Sequence, residues 1–228
     1  MTDKELTVII TTFRSENQIE SCLNSIDPNI SKIVIENSNN QKFKNYIENK
    51  YTNIECILTN KNLGYGKANN IGLKKAKTKY CLVLNPDTIL EKGAIKNFIS
   101  SAKKNKDFYI IGPMPIKDEF LKKSNFKDNS TLLDTEHIEG FAMFLNMEKF
   151  HNIGFFDENF FLYLEEIDLC KRVKNKNGRI LVDPSIKIFH FAGKSVNHNF
   201  SYQVELTRNW HWMWSLFYYN KKHFNYFY

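Results

Sequence analysis

An aspartate after a proline, two adjacent glutamates, a late histidine and a glycine pair are the residues of this 228-residue chain best suited to chemistry. Asp87, in Leu84-Asn85-Pro86-Asp87-Thr88, suits a hard divalent cation. Magnesium and manganese take oxygen ligands and often bind one or two carboxylates plus substrate phosphates. The same run also reads as a turn into the next element. If residues 164–174 form a helix, Glu165, Asp168 and Arg172 share a polar face, while Glu166 falls in line with Leu169, Cys170 and Val173 on the apolar face. An inward carboxylate is costly unless it serves a site, and burial raises its pKa toward that of a useful base. Acids at a helix start are also favoured by the dipole alone. His190 ends an apolar run; a lone histidine is commonly a hydrogen-bonded core or surface residue, yet neutral imidazole is a good manganese ligand. The run Asn62-x-Gly64-x-Gly66-x-Ala68-x-Asn70 is similar to a phosphate cradle, without the full dinucleotide spacing, and equally to a tight turn before a helix.

These residues need elements to gather them. Leu6–Thr12, Ile33–Ile35, Ile54–Leu58 and Tyr80–Leu84 are short apolar runs that read as buried parallel strands. Helices alternate with them: one opened by a Ser15/Gln18 capping box and carrying Ile19, Cys22, Leu23 and Ile26, one over 41–50, and one through Ala68, Ile71 and Ala76. This order predicts a doubly wound α/β sheet, with ligands outside the carboxyl ends of the strands. Thr12, Glu36-Asn37 and Asn85-Pro86-Asp87 follow strands and should share that edge. Further on, 93–105 reads as a helix, Phe108–Ile111 as a strand, 116–136 as a polar loop after a break at Pro113 and Pro115, Phe141–Leu145 as a strand, and Ile186–Phe189 as another.

Composition narrows the class. The chain is 42% hydrophobic, enough for one large α/β domain or two packed halves. Cys22, Cys56, Cys81 and Cys170 form no Cys-x-x-Cys pair, which argues against a disulfide framework or zinc site and for reduced thiols in a cytosol. No run approaches the roughly 18 apolar residues of a membrane span, so a soluble or peripheral protein is expected. A net charge of +7, spread over many lysines, fits an AT-rich genome that uses Lys and Asn freely. A basic surface also favours polyanionic partners such as anionic membranes, and no nucleic-acid motif supports nucleic acid as one.

Several runs in order resemble glycosyltransferase family 2, with its GT-A fold, and especially the rhamnosyltransferase-like branch, over about residues 6–200. They are Val8–Arg14, Ile33–Ser38, Asn62–Gly72, Leu84–Thr88, Glu139-Gly140-Phe141-Ala142-Met143 and Gly154–Cys170. The resemblance implies a mostly parallel central sheet flanked by helices in a single domain. A nucleotide-sugar-binding half would span 1–112 and an acceptor and catalytic half 113–200. Asp87 matches the last acid of the family's metal motif, Asn85 stands at its first acid, and His190 matches the C-terminal metal-binding histidine, implying Mn2+ or Mg2+. The implied donor site comprises Thr12, Phe13 and Arg14, then Glu36 and Asn37, then Gly64, Gly66 and Asn70, then Asn85 and Asp87, and Gly140 near donor sugar and acceptor. Glu166, beside Glu165, matches the catalytic aspartate. Glu36 and Glu166 both stand where the family usually has Asp, and the Gln-x-x-Arg-Trp motif of processive members is absent.

The implied activity is inverting, non-processive transfer of a sugar from a nucleotide sugar to a glycan or lipid-linked acceptor in bacterial surface polysaccharide synthesis, in the cytoplasm or at the inner face of the membrane. Rival readings are a sugar nucleotidyltransferase and a non-catalytic nucleotide-sugar-binding relative. The aromatic, basic segment 201–228 reads as a helix packed on the core or in a homodimer, or as an interfacial helix serving lipid-linked acceptors.

Overall fold

Short apolar runs that alternate with amphipathic helices can bury both faces only in the middle of a layered sheet. The computed structural model, which describes residues 5–114, 132–191 and 201–224, has that arrangement. Strands β1 (Leu6–Thr12), β2 (Ser31–Glu36), β3 (Ile54–Leu58) and β4 (Tyr80–Leu84) lie parallel in the order β3-β2-β1-β4. Helices α1 (Glu16–Asn24), α2 (Gln41–Lys50) and α3 (Tyr65–Lys75) connect them. Register pairs Thr12 with Glu36 and Ile10 with Leu84, so the carboxyl ends of β1, β2 and β4 are level.

Beyond β4 the sheet stops being purely parallel. Its eight-stranded order continues β8-β6-β9-β7, formed by β6 (Phe108–Pro113), β7 (Leu133–Asp134), β8 (Ala142–Asn146) and β9 (Arg179–Asp183). β8 runs antiparallel to both β4 and β6, and Leu84 pairs with Ala142. That crossing sets residues 139–141 beside the carboxyl end of β4. A second, two-stranded sheet pairs β5 (Thr88–Leu90) with β10 (Ile188–His190). Helices α4 (Ala94–Lys104) and α5 (Glu165–Lys174) complete the layers, and α6 (Ser201–Phe224) follows them. One apolar cluster, including Val8, Ile10, Val34, Leu82, Phe98 and Phe144, lies on one side of the sheet. A second, including Ile9, Val83, Met143, Leu169 and Val173, lies on the other.

Four expectations need correction. The Ser15 hydroxyl donates back to the Phe13 carbonyl and caps nothing, so no capping box forms. β6 runs two residues past the expected Ile111 and ends at Pro113. The polar stretch 116–136 contains β7, while residues 115–131 lie outside the described residues. β5 and β9 are additional strands, and β5, at three residues, is too short for periodicity to separate from loop.

Candidate functional site

The turn after β4 is held from both sides. Asn85 N–H donates to the Phe141 carbonyl at 2.9 Å, and the Asn85 carbonyl accepts the Thr88 hydroxyl at 2.7 Å. This fixes Asp87, which is buried. The β5–β10 pairing sets His190 opposite Thr88, and the Phe191 N–H donates to the Asp87 carbonyl at 3.0 Å. His190 Nε2 then lies 3.3 Å from Asp87 Oδ1. The reading of the run as a turn and as a site are thus compatible: the turn builds the pair. Residues 192–200, which follow Phe191, lie outside the described residues.

The donor set around Asp87 fits a hard cation. It offers one carboxylate and one imidazole, and two residues before Asp87 the buried Oδ1 of Asn85 has no hydrogen-bond partner. Among the described residues no group of three or more His, Cys, Asp or Glu side chains forms a metal cluster. A cation at Asp87 and His190 would therefore need further oxygens from a ligand, as phosphates supply.

The second pair begins α5. Tyr163 and Leu164 both adopt left-handed backbone angles (φ 73° and 66°), a conformation unfavourable for side chains of their size. They turn the chain sharply into the first helical turn, where Glu165 and Glu166 sit. Both faces are covered: Leu169, Cys170 and Val173 are buried as expected, and Glu165 and Asp168 are buried with them. Glu165 is 5% exposed and its Oε2 has no hydrogen-bond partner, whereas Glu166 on the supposed interior face is half-buried. The Glu165–Asp168–Arg172 face is covered by neighbouring segments. Burial, then the Glu166 charge, push the Glu165 carboxyl well above the ordinary glutamate value. Burial and the Glu139 charge also raise Glu166.

Residues 139–141 bridge the two pairs. A Cβ at Gly140 would lie 3.5 Å from the Glu166 side chain, so the backbone rests directly against that carboxylate. Phe141 stacks on the His190 ring at 4.7 Å. Tyr65 donates its hydroxyl to the Gly140 carbonyl at 2.7 Å, and burial followed by the charges of Glu165 and Glu166 keeps that phenol protonated. The Asp87 charge acts on Tyr65 as well, which places both acidic groups around one tyrosine. Tyr65 and Phe141 are the site residues that pattern alone misses; both occur inside motif runs, but only the β4–β8 pairing shows what they join.

The remaining expected donor contacts divide into open and spent groups. Phe13 is exposed at the end of β1, and Arg14 lies over its ring at 5.4 Å, so both face solvent at the sheet edge. Thr12 is buried, its hydroxyl directed to the Ile35 carbonyl and its own carbonyl accepting the Asn37 N–H. Glu36 accepts from Ser38 N–H, the Ser38 hydroxyl and Asn40 N–H, and so shapes the 37–40 turn.

The other expected donor-binding residues, Asn37, Asn70, Gly64 and Gly66, are engaged within the protein in this structure. Asn37 spends its amide on Asn62 and the Gly64 carbonyl and its oxygen on Thr59 and Leu63, which makes it a loop tie. Asn70 is locked to the Phe156 backbone in both directions and to Glu158. Gly64 and Gly66 form no open phosphate cradle. Gly64 has φ 81° and its Cα faces the Phe161 carbonyl, so a side chain would collide there, and a Cβ at Gly66 would lie 3.0 Å from Phe156. The glycines admit the 156–165 segment against α3.

A buried charge network secures α5 from behind. Asp168 is fully buried; its Oδ2 accepts Arg172 Nε at 2.8 Å, and its Oδ1 lies 2.6 Å from Lys222 Nζ and 2.8 Å from His223 Nε2. Lys222 also reaches Asp157 at 2.8 Å, where Tyr218 donates at 3.0 Å. Burial pushes the Asp157 carboxyl up, but Lys222, the Asn159 N–H and Tyr218 outweigh it and hold the value down to about 2. Arg172 further donates to the carbonyls of Ile153, Gly154 and Phe155. One face of α6 therefore packs on the segment leading into the glutamate pair, with Ser215 donating to the Leu162 carbonyl and His211 stacked on Phe161 at 4.3 Å.

The chain is similar to several known proteins. The low-salt glycan biosynthesis hexosyltransferase Agl10 of Haloferax volcanii is 25% identical over 195 residues, covering 76% of this chain and 62% of that protein. The chain thus spans about three fifths of that relative's length. Rhamnosyltransferase WbbL of Escherichia coli is 23% identical over 219 residues, covering 81% of this chain and 83% of that protein. The solved structure of the mannosyltransferase PcManGT from Pyrobaculum calidifontis, in complex with GDP-Man and Mn2+, superposes with a TM-score of 0.67 at 12% identity, covering 86% of this chain and 59% of that one. At that identity the likeness shows the fold, which is GT-A. The family model described as "Glycosyl transferase family 2" matches residues 7–170, from the first strand through the helix that carries the glutamate pair. The match runs over well more than half of the chain and takes in Asp87, Gly140 and Glu166, so the chain belongs to glycosyl transferase family 2.

Proposed function

We propose that the chain transfers a single sugar from a nucleotide-sugar donor to a hydroxyl of a glycan or lipid-linked acceptor, with inversion at the anomeric carbon. The observation that carries this reading is the 139–141 bridge, which joins a cation-fitting pair, Asp87 and His190, to a raised carboxylate, Glu166. Phe13 and Arg14 offer a solvent-facing aromatic and a cation at the same strand edge for the nucleoside diphosphate. Asp87 and His190 would hold Mn2+ or Mg2+ together with the diphosphate. A bound divalent ion there neutralises charge on the phosphate leaving group.

Glu166 is the base in this reading. It is open enough to meet an acceptor, whereas Glu165 is too buried to do so. Glu166 takes the proton of the acceptor hydroxyl, the hydroxyl oxygen bonds the anomeric carbon, and the bond from that carbon to phosphate oxygen breaks. A single displacement of this kind inverts configuration. The relatives named for hexosyl and rhamnosyl transfer support a hexose or deoxyhexose donor, and the one named for glycan biosynthesis supports a glycan product.

The test is calorimetric titration of nucleotide sugars, with and without manganese, into the wild type and Asp87→Ala. Donor binding should strengthen with manganese in the wild type and lose that dependence in the variant. Equal manganese-dependent affinity in both would remove Asp87 from the site. Hydrolysis of the bound donor with manganese separates an enzyme from a non-catalytic binding relative.

A further inference from the structure

The face of α6 that turns away from the protein matches nothing in the proposed chemistry. Its packed side is marked by Arg208 on the Tyr163 hydroxyl, His211 on Phe161, Ser215 on Leu162, Tyr218 on Phe160 and Lys222 on Asp157. At about 100° per residue, Leu206, Trp210, Met213, Trp214, Phe217 and Phe224 fall within one arc roughly 100° wide, opposite that side. All six are exposed, Trp210 at 62% and Met213 at 59%. Large apolar side chains grouped this way on a soluble surface mark a binding face.

We propose that this ridge seats the protein on an anionic lipid surface, with α6 lying in the headgroup zone. Three features favour lipid over a second copy of the chain. Trp210, Trp212 and Trp214 are the chain's only tryptophans, all exposed on this one helix, and tryptophan favours the membrane–water boundary. Charge is the second: Lys221 falls within the same arc, no acid of α6 does, Lys171 of α5 lies over Phe224 at 5.9 Å, and the whole chain is +7. Two such surfaces face to face repel, whereas an anionic bilayer attracts both. Shape is the third, since the apolar side chains crown an outward helix ridge that can sink between headgroups without a matching groove. Among the described residues no helix is long and apolar enough to cross a membrane, so α6 would lie on the bilayer.

The network of Lys222 and His223 with Asp168 ties this helix to α5, so a seated protein would present the glutamate pair at a fixed height above the lipid. Only that consequence, delivery of a lipid-linked acceptor, rests on the proposed function; the binding itself does not.

The experiment uses the full chain and vesicles of phosphatidylcholine, alone or with one third phosphatidylglycerol (a composition of about that order). Flotation and tryptophan fluorescence are read together, because every fluorophore of that type is on α6. Anionic vesicles should carry the protein to the lipid fraction with a blue shift, about tenfold more strongly than neutral ones, and high salt should weaken this. The triple variant Trp210→Gln, Met213→Gln, Phe217→Gln keeps helix-forming, exposed positions and should lose at least about tenfold in binding while retaining the wild-type melting temperature. Absence of wild-type binding, or equal binding by the triple variant, would overturn the proposal. So would a light-scattering dimer that the triple variant dissociates, which would assign the ridge to a second copy. Donor binding by calorimetry is independent of each of these outcomes, so failure here is distinguishable from failure of the transferase reading.

Discussion

At the scale of single residues, the decisive question is which polar groups are free to act. Asn37 and Asn70 sit where donor contacts are expected, yet their hydrogen-bonding capacity is spent inside the protein. Residue type and position were legible in the sequence for all of these; occupancy was not, because it depends on loops brought together from distant parts of the chain. Asp87 and His190 were legible for the opposite reason, since each directly follows or ends a strand of plain apolar pattern. The glutamate pair carries a pH prediction. Both carboxyls are raised by burial, so the folded state keeps protons that the unfolded chain releases above about pH 4.3. Their stabilising contribution is therefore full below that value and is lost as pH rises toward the raised values. Replacing Glu165 by Gln removes one such group. The melting temperature of Glu165→Gln, relative to wild type, should accordingly climb between about pH 5 and about pH 8. A flat difference across that range would show that Glu165 is ordinary.

At the scale of elements, the strongly periodic pieces were readable and the joints between them were not. The four parallel strands and three helices up to Leu84 follow local pattern closely. The sharp entry into α5 through Tyr163 and Leu164 has no signature in residue type, because neither residue favours left-handed backbone. Gly64 is the matching device on α3. With φ 81° and the Phe161 carbonyl against its Cα, Gly64→Ala should cost about 1–3 kcal/mol in a denaturant titration, from strain and collision together. A cost near zero would mean the 156–165 segment is not pressed against α3. The rear of α5 depends on α6 in the same way. Lys222→Met leaves the buried Asp168 and the half-buried Asp157 short of a cation; with Lys222 itself at the surface, the cost in stability should be about 1–2 kcal/mol. Because Asp168 is one turn from Glu165, the variant should also lower kcat while leaving the donor KM near wild type. Loss of stability with unchanged kcat would reduce the network to a structural staple.

At the scale of the whole molecule, the parallel half of the sheet and the antiparallel crossing of β8 do separate jobs. The parallel half brings Phe13, Arg14 and Asp87 to one edge, where open α/β sheets bind ligands. β8 then delivers Gly140 and Phe141 from the far half and closes the site around Glu166. The first job is written locally, in strand–helix alternation, and a reader of the sequence can follow it. The second is a long-range pairing between Leu84 and Ala142 that no local pattern specifies. The account stands or falls on that closure making Glu166 the base. The direct test is sugar transfer by Glu166→Gln, measured beside calorimetric donor affinity with manganese. Transfer should fall by about 10²–10⁴ while donor affinity stays within about twofold of wild type. Wild-type transfer by the variant, with donor affinity intact, would contradict it.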